Sequence, residues 1–230
     1  MIRTERFIYF RMQKTASRYI GELFKYVFNS KSRVGGNHRR RRHVSNKGDK
    51  IFVSSVRNPW DWYVSFYFSN IKELNKGIKI RNRLVRFFYH DDKLLEFPDF
   101  IRNICSIDVG MNSLSRLDIG YYSYRFLDIL ARKKVSDFKY CNIDKALDFL
   151  DIDYFIRFED TPDSIIGFLH DARIEYDNEK MEWFLKENKR YNKSKHEHYS
   201  KYYDDDLASL VAHKERIIIN KFNYKYEESE

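Results

Sequence analysis

Twice within residues 7–71 the chain runs from a strand-length apolar segment through a short polar turn into a helix-period stripe. This repetition constrains the fold more than any other feature. Phe7–Arg11 (FIYFR) reads as a buried strand and Gln13–Arg18 as a polar break, after which Ile20, Leu23, Phe24 and Val27 recur on one helical face. Ile51–Val56 (IFVSSV) reads as a second strand. Asn58 then suits a helix N-cap and Pro59 the first helical position, and Trp60, Val64, Tyr67, Phe68 and Ile71 lie along one stripe. Strands that feed directly into helices build a parallel α/β sheet, and such sheets take ligands beyond the carboxyl ends of their strands. Both polar turns fall at such ends.

The remaining chain fits the same class. Ser30–Lys50 reads as a loop containing Gly35-Gly36 and the run Arg39–Arg42, and Lys72–Phe97 as a charged, irregular stretch with helical hints at Leu84, Val85 and Phe88. Residues 98–150 read as mainly helical, with pieces near Asp99–Ile104, Tyr122–Lys133 and Asp144–Leu150. Asp153–Phe158 is a third strand candidate. Thr161-Pro162 is expected to open a helix carrying Ile165, Ile166 and Leu169, and Asn178 to cap one carrying Met181, Phe184 and Leu185. Asn188–Tyr203 reads as a polar, aromatic-rich loop. Asp204–Asp206 start a last helix bearing Leu207, Leu210, Val211 and Ile218, where acid suits the helix dipole. The expectation is one domain over residues 1–230 with a variable, mainly helical region at about 72–150.

Hydrophobic residues make up 43% and aromatic residues 17% of the chain, enough for a packed core and contrary to a disordered tail. The net charge of +9 favours anionic partners: phosphorylated cofactors, nucleic acid, acidic glycans or membrane surfaces. Cys105 and Cys141 have no CxxC spacing, which argues against a disulfide framework and a thiolate metal site. No apolar run is long enough to cross a membrane, and Met1–Phe10 passes into a strand-like segment without a signal-peptide core. The expected location is cytoplasmic.

The turns carry the chemistry. At Lys14-Thr15-Ala16-Ser17-Arg18-Tyr19 a strand-to-helix turn aims unpaired N–H groups outward. Lys14 adds a charge there, and Thr15 and Ser17 add hydroxyls. The Walker pattern GxxxxGK[ST] is absent, and taken alone an ordinary helix start explains the segment better. Arg57, at the end of the second strand, can bind a phosphate bidentately, with Ser65 about two helical turns further on.

Strand–K-T-x-S–helix followed by strand–x-R-N-P-x-D-x-x-x-S resembles the sulfotransferases that use PAPS (3'-phosphoadenosine-5'-phosphosulfate), in the branch of Golgi heparan and uronyl sulfotransferases and short bacterial or viral relatives. Ile156–Asp160 (IRFED), Asn192–Tyr203 (NKSKHEHYSKYY) and Glu215–Tyr226 (ERIIINKFNYKY) resemble further stretches of that family, whereas residues 72–150 are poorly covered. The resemblance implies an α/β fold of the P-loop-like, three-layer kind, a central, mostly parallel sheet flanked by helices. It implies that Lys14, Thr15, Ala16, Ser17, Arg18 and Tyr19 hold the 5'-phosphosulfate, partly through main-chain amides, and that Arg57 and Ser65 hold the 3'-phosphate. Phe158 falls near the adenine, with a core role equally open, and Lys193 and Ser194 fall in a donor-covering loop. Arg18 departs from the family, where threonine is common, so a contact to the 5'-phosphate and one to an acidic acceptor both stay open.

The implied reaction moves a sulfuryl group in line from PAPS to a hydroxyl or amine, leaving PAP and requiring no metal. Lys14 would follow the charge on the leaving oxygen. A histidine would be the base, with His38 ranked above His43 and Glu22 weaker than both. The surrounding arginines disfavour an imidazolium and keep such a histidine neutral. His196-x-His198 lacks the partners of a metal site. Arg39–Arg42, Arg81, Arg83 and Arg86 hint at an anionic acceptor such as an acidic glycan, and a solvated basic surface explains them equally. Two alternatives stand beside this reading: a nucleic-acid-binding protein using the basic, aromatic surface, less favoured because it leaves the paired turns unexplained, and an inactive sulfotransferase-like binding protein.

Overall fold

A computed structural model describes residues 1–30, 40–44, 47–75, 82–106, 118–140, 143–187 and 196–228. The chain divides into two compact units, each built from three segments. The first comprises Met1–Arg57, Phe126–Lys134 and Lys145–Lys193, and the second Asn58–Arg125, Val135–Asp144 and Ser194–Glu230.

The first unit holds a four-stranded sheet. Strands β1 (Ile2–Arg3), β2 (Phe7–Phe10) and β3 (Ile51–Val56) come early in the chain, and the late strand β6 (Tyr154–Arg157) completes the order β1-β2-β3-β6. Only β1 runs antiparallel. Tyr9 pairs with Val53 in the parallel β2–β3 ladder, and Val53 with Tyr154 in the parallel β3–β6 ladder. Every residue of β2 is buried, as a parallel strand covered on both faces requires.

Alternation then assigns the two faces. Phe7, Tyr9, Val53 and Ile156 pack with Ile20, Leu23, Phe24 and Val27 of α1 (Ser17–Val27) and with residues of α6 (Asp163–Asp171) and α7 (Asn178–Glu187). Phe7 meets Phe24 edge-on at 4.8 Å and Phe168 at 5.4 Å. From the other face Phe155 stacks at 5.7 Å on Phe126, in the later part of α5 (Tyr121–Leu130). The result is a mostly parallel α/β sheet flanked by helices. Among the described residues no helix is long and apolar enough to cross a membrane.

The second unit is mainly helical. It holds α2 (Pro59–Leu74), α3 (Asn82–Phe88), a small hairpin of β4 (Tyr89–His90) and β5 (Lys93–Leu94), α4 (Phe97–Ser106), the start of α5, α8 (Asp205–Lys214) and α9 (Arg216–Phe222). Asn58 caps α2 by accepting from the Trp60 N–H at 3.0 Å, with Pro59 first in the helix. The expected single stripe on α2 is corrected. Trp60, Trp62, Tyr63, Val64, Phe66 and Tyr67 are all buried, while Phe68 and Ile71 are only partly so. The indole of Trp62 lies between Tyr122 at 4.5 Å and Phe66 at 4.9 Å, both nearly parallel to it, so α2 is packed around most of its girth.

Other boundaries also differ from expectation. Thr161 does not cap α6; its hydroxyl donates to the Arg157 carbonyl at 2.9 Å. Asp177 caps α7 by accepting from the Lys180 N–H, and Asn178 is the first helical residue. The expected helix near Asp144–Leu150 is the 3-10 segment Ile143–Phe149. The single last helix is two, broken at Glu215. The Glu215 carboxylate accepts from Tyr63 Oη at 2.5 Å and from the N–H groups of Tyr122 (3.2 Å) and Ser123 (2.7 Å). The Ser123 hydroxyl is a fourth donor, at 2.6 Å. A carboxylate at the start of α5 serves as its cap, and that interaction outweighs continuous helix at this point.

Candidate functional site

The carboxyl ends of β2, β3 and β6 bring three of the expected site residues together within the first unit. Lys14 lies in the turn after β2, Arg57 follows β3 and Phe158 follows β6, whose ladder continues through the Phe158 N–H to the Val56 carbonyl at 2.9 Å. Arg57 is 6% exposed. One of its nitrogens donates to the Lys14 carbonyl at 3.1 Å, and its guanidinium lies 3.9 Å above the Phe158 ring centre. The position over the ring adds a cation–π contact to that bond.

The first turn has an uncommon backbone. Lys14 (φ 62°) and Ala16 (φ 52°) are both left-handed without being glycine, a conformation that costs roughly 1–3 kcal/mol per residue and clusters at functional sites. A left-handed residue followed by a helical one turns successive N–H groups toward a common concavity, which suits an anion. Ala16 occupies the N-cap of α1 and has no side-chain acceptor for the first-turn amides, and the first turn holds no acidic residue. The start of α2 differs, with Asn58 as its cap and Asp61 in its first turn. One helix start caps an amide from its own side chain; at the other, Ala16 supplies no side-chain cap.

Thr15 and Ser17 are buried, Tyr19 is half-buried and Arg18 is exposed. Thr15 Oγ1 donates to the Met12 carbonyl at 2.9 Å and lies 2.6 Å from Ser55 Oγ, which lies 2.7 Å from Tyr9 Oη. Tyr19 packs against Phe184 of α7, and burial raises its phenol pKa. Ser65 is buried on α2 in the second unit.

Of the candidate bases, His43 and Glu22 are not gathered in the same way. His38 lies outside the described residues, as do Lys193 and Ser194. His43 is exposed and ends the short 3-10 segment Arg41–His43. That segment is anchored by Arg41, which pairs with Asp151 and lies 4.4 Å above the Phe52 ring. Phe52 is near the amino end of β3, five residues before Arg57, or about 16 Å along a strand. Glu22 is paired with Lys25 at 2.9 Å.

Arg40, Arg41 and Arg42 of the arginine run are also occupied, while Arg39 and Arg81 lie outside the described residues. Asp128 accepts from Arg40 Nε and Arg42 Nη2, each at 3.1 Å, and its carbonyl accepts from Arg42 Nη1 at 2.8 Å. Arg40, Arg41 and Arg42 therefore fasten this segment to Asp128 and Asp151. Sequence reasoning missed Asp128, Tyr9 and Ser55 as partners. For Ser55 a signal existed, since hydroxyls inside a buried strand must find hydrogen bonds; the acids opposite the arginines carry no such local mark. Among the described residues no group of three or more His, Cys, Asp or Glu side chains is arranged to hold a metal ion.

No protein-family model, no curated protein and no solved structure matches this chain.

Proposed function

We propose that the chain is a PAPS-dependent sulfotransferase, with the sheet of the first unit read as P-loop-like. The observation that carries this reading is the uncapped left-handed turn at Lys14–Ala16, bonded through Lys14 to an Arg57 that is stacked on Phe158. These are donor types suited to a ligand with two separated anionic groups and an aromatic base. The amides opening α1, with Lys14 and Arg18, take the 5'-phosphosulfate. Arg57 takes the 3'-phosphate, with Ser65 assigned to the same group by the sequence resemblance. The sequence resemblance assigns Phe158 to the adenine and Lys193 and Ser194 to the donor.

PAPS supplies an activated sulfuryl group. Transfer breaks the bond from sulfur to the bridging phosphate oxygen and forms one from sulfur to an acceptor hydroxyl or amine. The acceptor proton passes to a histidine and PAP leaves with the negative charge. Lys14 stabilises that charge, and His38 is the proposed base ahead of His43. An acidic glycan suits the basic balance of the chain. The rival nucleic-acid reading is weakened because Arg40, Arg41 and Arg42 are engaged by Asp128 and Asp151.

The test is transfer from labelled PAPS to a panel of hydroxyl and amine acceptors. Transfer that disappears in Lys14→Ala while the melting temperature holds supports the proposal. Binding of PAP without transfer to any acceptor supports an inactive relative instead.

A further inference from the structure

The hydroxyls of Tyr9, Ser55 and Thr15 form a continuous buried line from the centre of β2, across β3, to the strained turn. Its direction follows from valence. Thr15 has one hydroxyl proton, and the Met12 carbonyl can only accept, so that proton goes to Met12. Ser55 must then donate to Thr15, and Tyr9 to Ser55. Burial pushes the Tyr9 phenol far above its ordinary range, which keeps it protonated and able to start the line. Tyr9, Ser55 and Thr15 are all fully buried, so each link forms away from competing water.

The line ends on the residue that sits between left-handed Lys14 and Ala16. We infer that Tyr9 and Ser55 are positioning residues. They hold Thr15 from beneath, and so hold the Lys14–Ser17 backbone in its anion-binding shape before any ligand arrives. Neither touches the ligand. This inference rests on the proposed function for the identity of the ligand, but not for the ordering of the turn.

Two measurements test it. The first is the backbone order parameter of Lys14–Ser17 by nitrogen-15 relaxation in the ligand-free protein. The wild type is expected near the rigid value of about 0.85, with Ser55→Ala falling toward about 0.6 at these residues and not along α1. Tyr9→Phe, which keeps the ring and removes only the first donor, is expected to fall part of the way, and it serves if Ser55→Ala does not fold. The second is PAP affinity, expected to weaken about tenfold in Ser55→Ala and about threefold in Tyr9→Phe, as loss of buried hydrogen bonds supporting a site would cause. Ala16→Gly, which removes the strain at one left-handed position, is expected to recover part of the loss.

Unchanged order parameters in folded variants would overturn the inference, as would a lower melting temperature with affinity intact, since that is what a packing role alone produces. A wild type that ignores PAP would sink the functional reading, while the order parameters would still decide whether the line holds the turn.

Discussion

Arg57 donates to the carbonyl oxygen of Lys14 across 3.1 Å, so the residue that closes β3 holds the first left-handed residue of the turn after β2. The bond needs a guanidinium that can lie over Phe158 and still reach the Lys14 carbonyl, and an ammonium, a single point charge, cannot do both. Arg57→Lys is therefore expected to lower stability by about 1–2 kcal/mol in denaturant unfolding despite the conserved charge. It should also weaken PAP binding at least about tenfold by calorimetry.

Gly120 is a position where only hydrogen fits. A Cβ there would lie inside the Glu215 carboxylate and 2.8 Å from Tyr63 Oη, in a network closed by four donors. Gly120→Ala is expected to destabilise the protein by more than about 2 kcal/mol, read as a drop in the denaturation midpoint, because neither buried partner can move without losing its bonds.

The same network sets a pH dependence. Burial is the main cause that raises the Glu215 carboxyl from its ordinary 4.5 to about 7, and the donors from Ser123, Tyr63 and Tyr122 reverse only part of that rise. The folded state thus holds the proton more tightly than the unfolded state. The resulting stability is complete below about pH 4.5 and is lost as pH rises toward and through about 7, a change on the order of 3 kcal/mol. Measured against Glu215→Gln, the wild type should gain relative stability on acidification through this window and level off below it. A difference that stays flat with pH would contradict the assignment.

Asp128 fastens Arg40 and Arg42 to the first unit. Asp128→Asn keeps the shape of the side chain and removes the charge that holds both, at an expected cost of about 1–3 kcal/mol. Trypsin should then cut after Arg40 and Arg42 several times faster, as mass spectrometry of a digestion time course would show.

Much of the sheet was legible in the sequence because parallel strands buried on both faces read as short, mostly apolar runs, unbroken at Phe7–Phe10 and interrupted by Ser54 and Ser55 at Ile51–Val56. Asn58 and Pro59 marked the start of α2 because capping is a local event. What escaped notice was long-range. Glu215 breaks the last helix because its partners lie some 90 and 150 residues away, at Tyr122, Ser123 and Tyr63. The arginine run read as an open basic lip because nothing near it in sequence announces Asp128 or Asp151. At the candidate site, residue types pointed to Lys14, Arg57 and Phe158, but the left-handed backbone at Lys14 and Ala16 was invisible, since neither residue is glycine.

In the proposed site the Lys14 turn and Arg57 bind a nucleotide bearing both a 5'- and a 3'-phosphate. Calorimetric titration of the protein with PAP, beside AMP as the analogue without a 3'-phosphate, tests this. Micromolar PAP binding, at least about tenfold tighter than AMP and with that preference abolished in Arg57→Ala, is the expected result. No PAP binding by folded wild-type protein, or equal affinity for the two nucleotides, would contradict it.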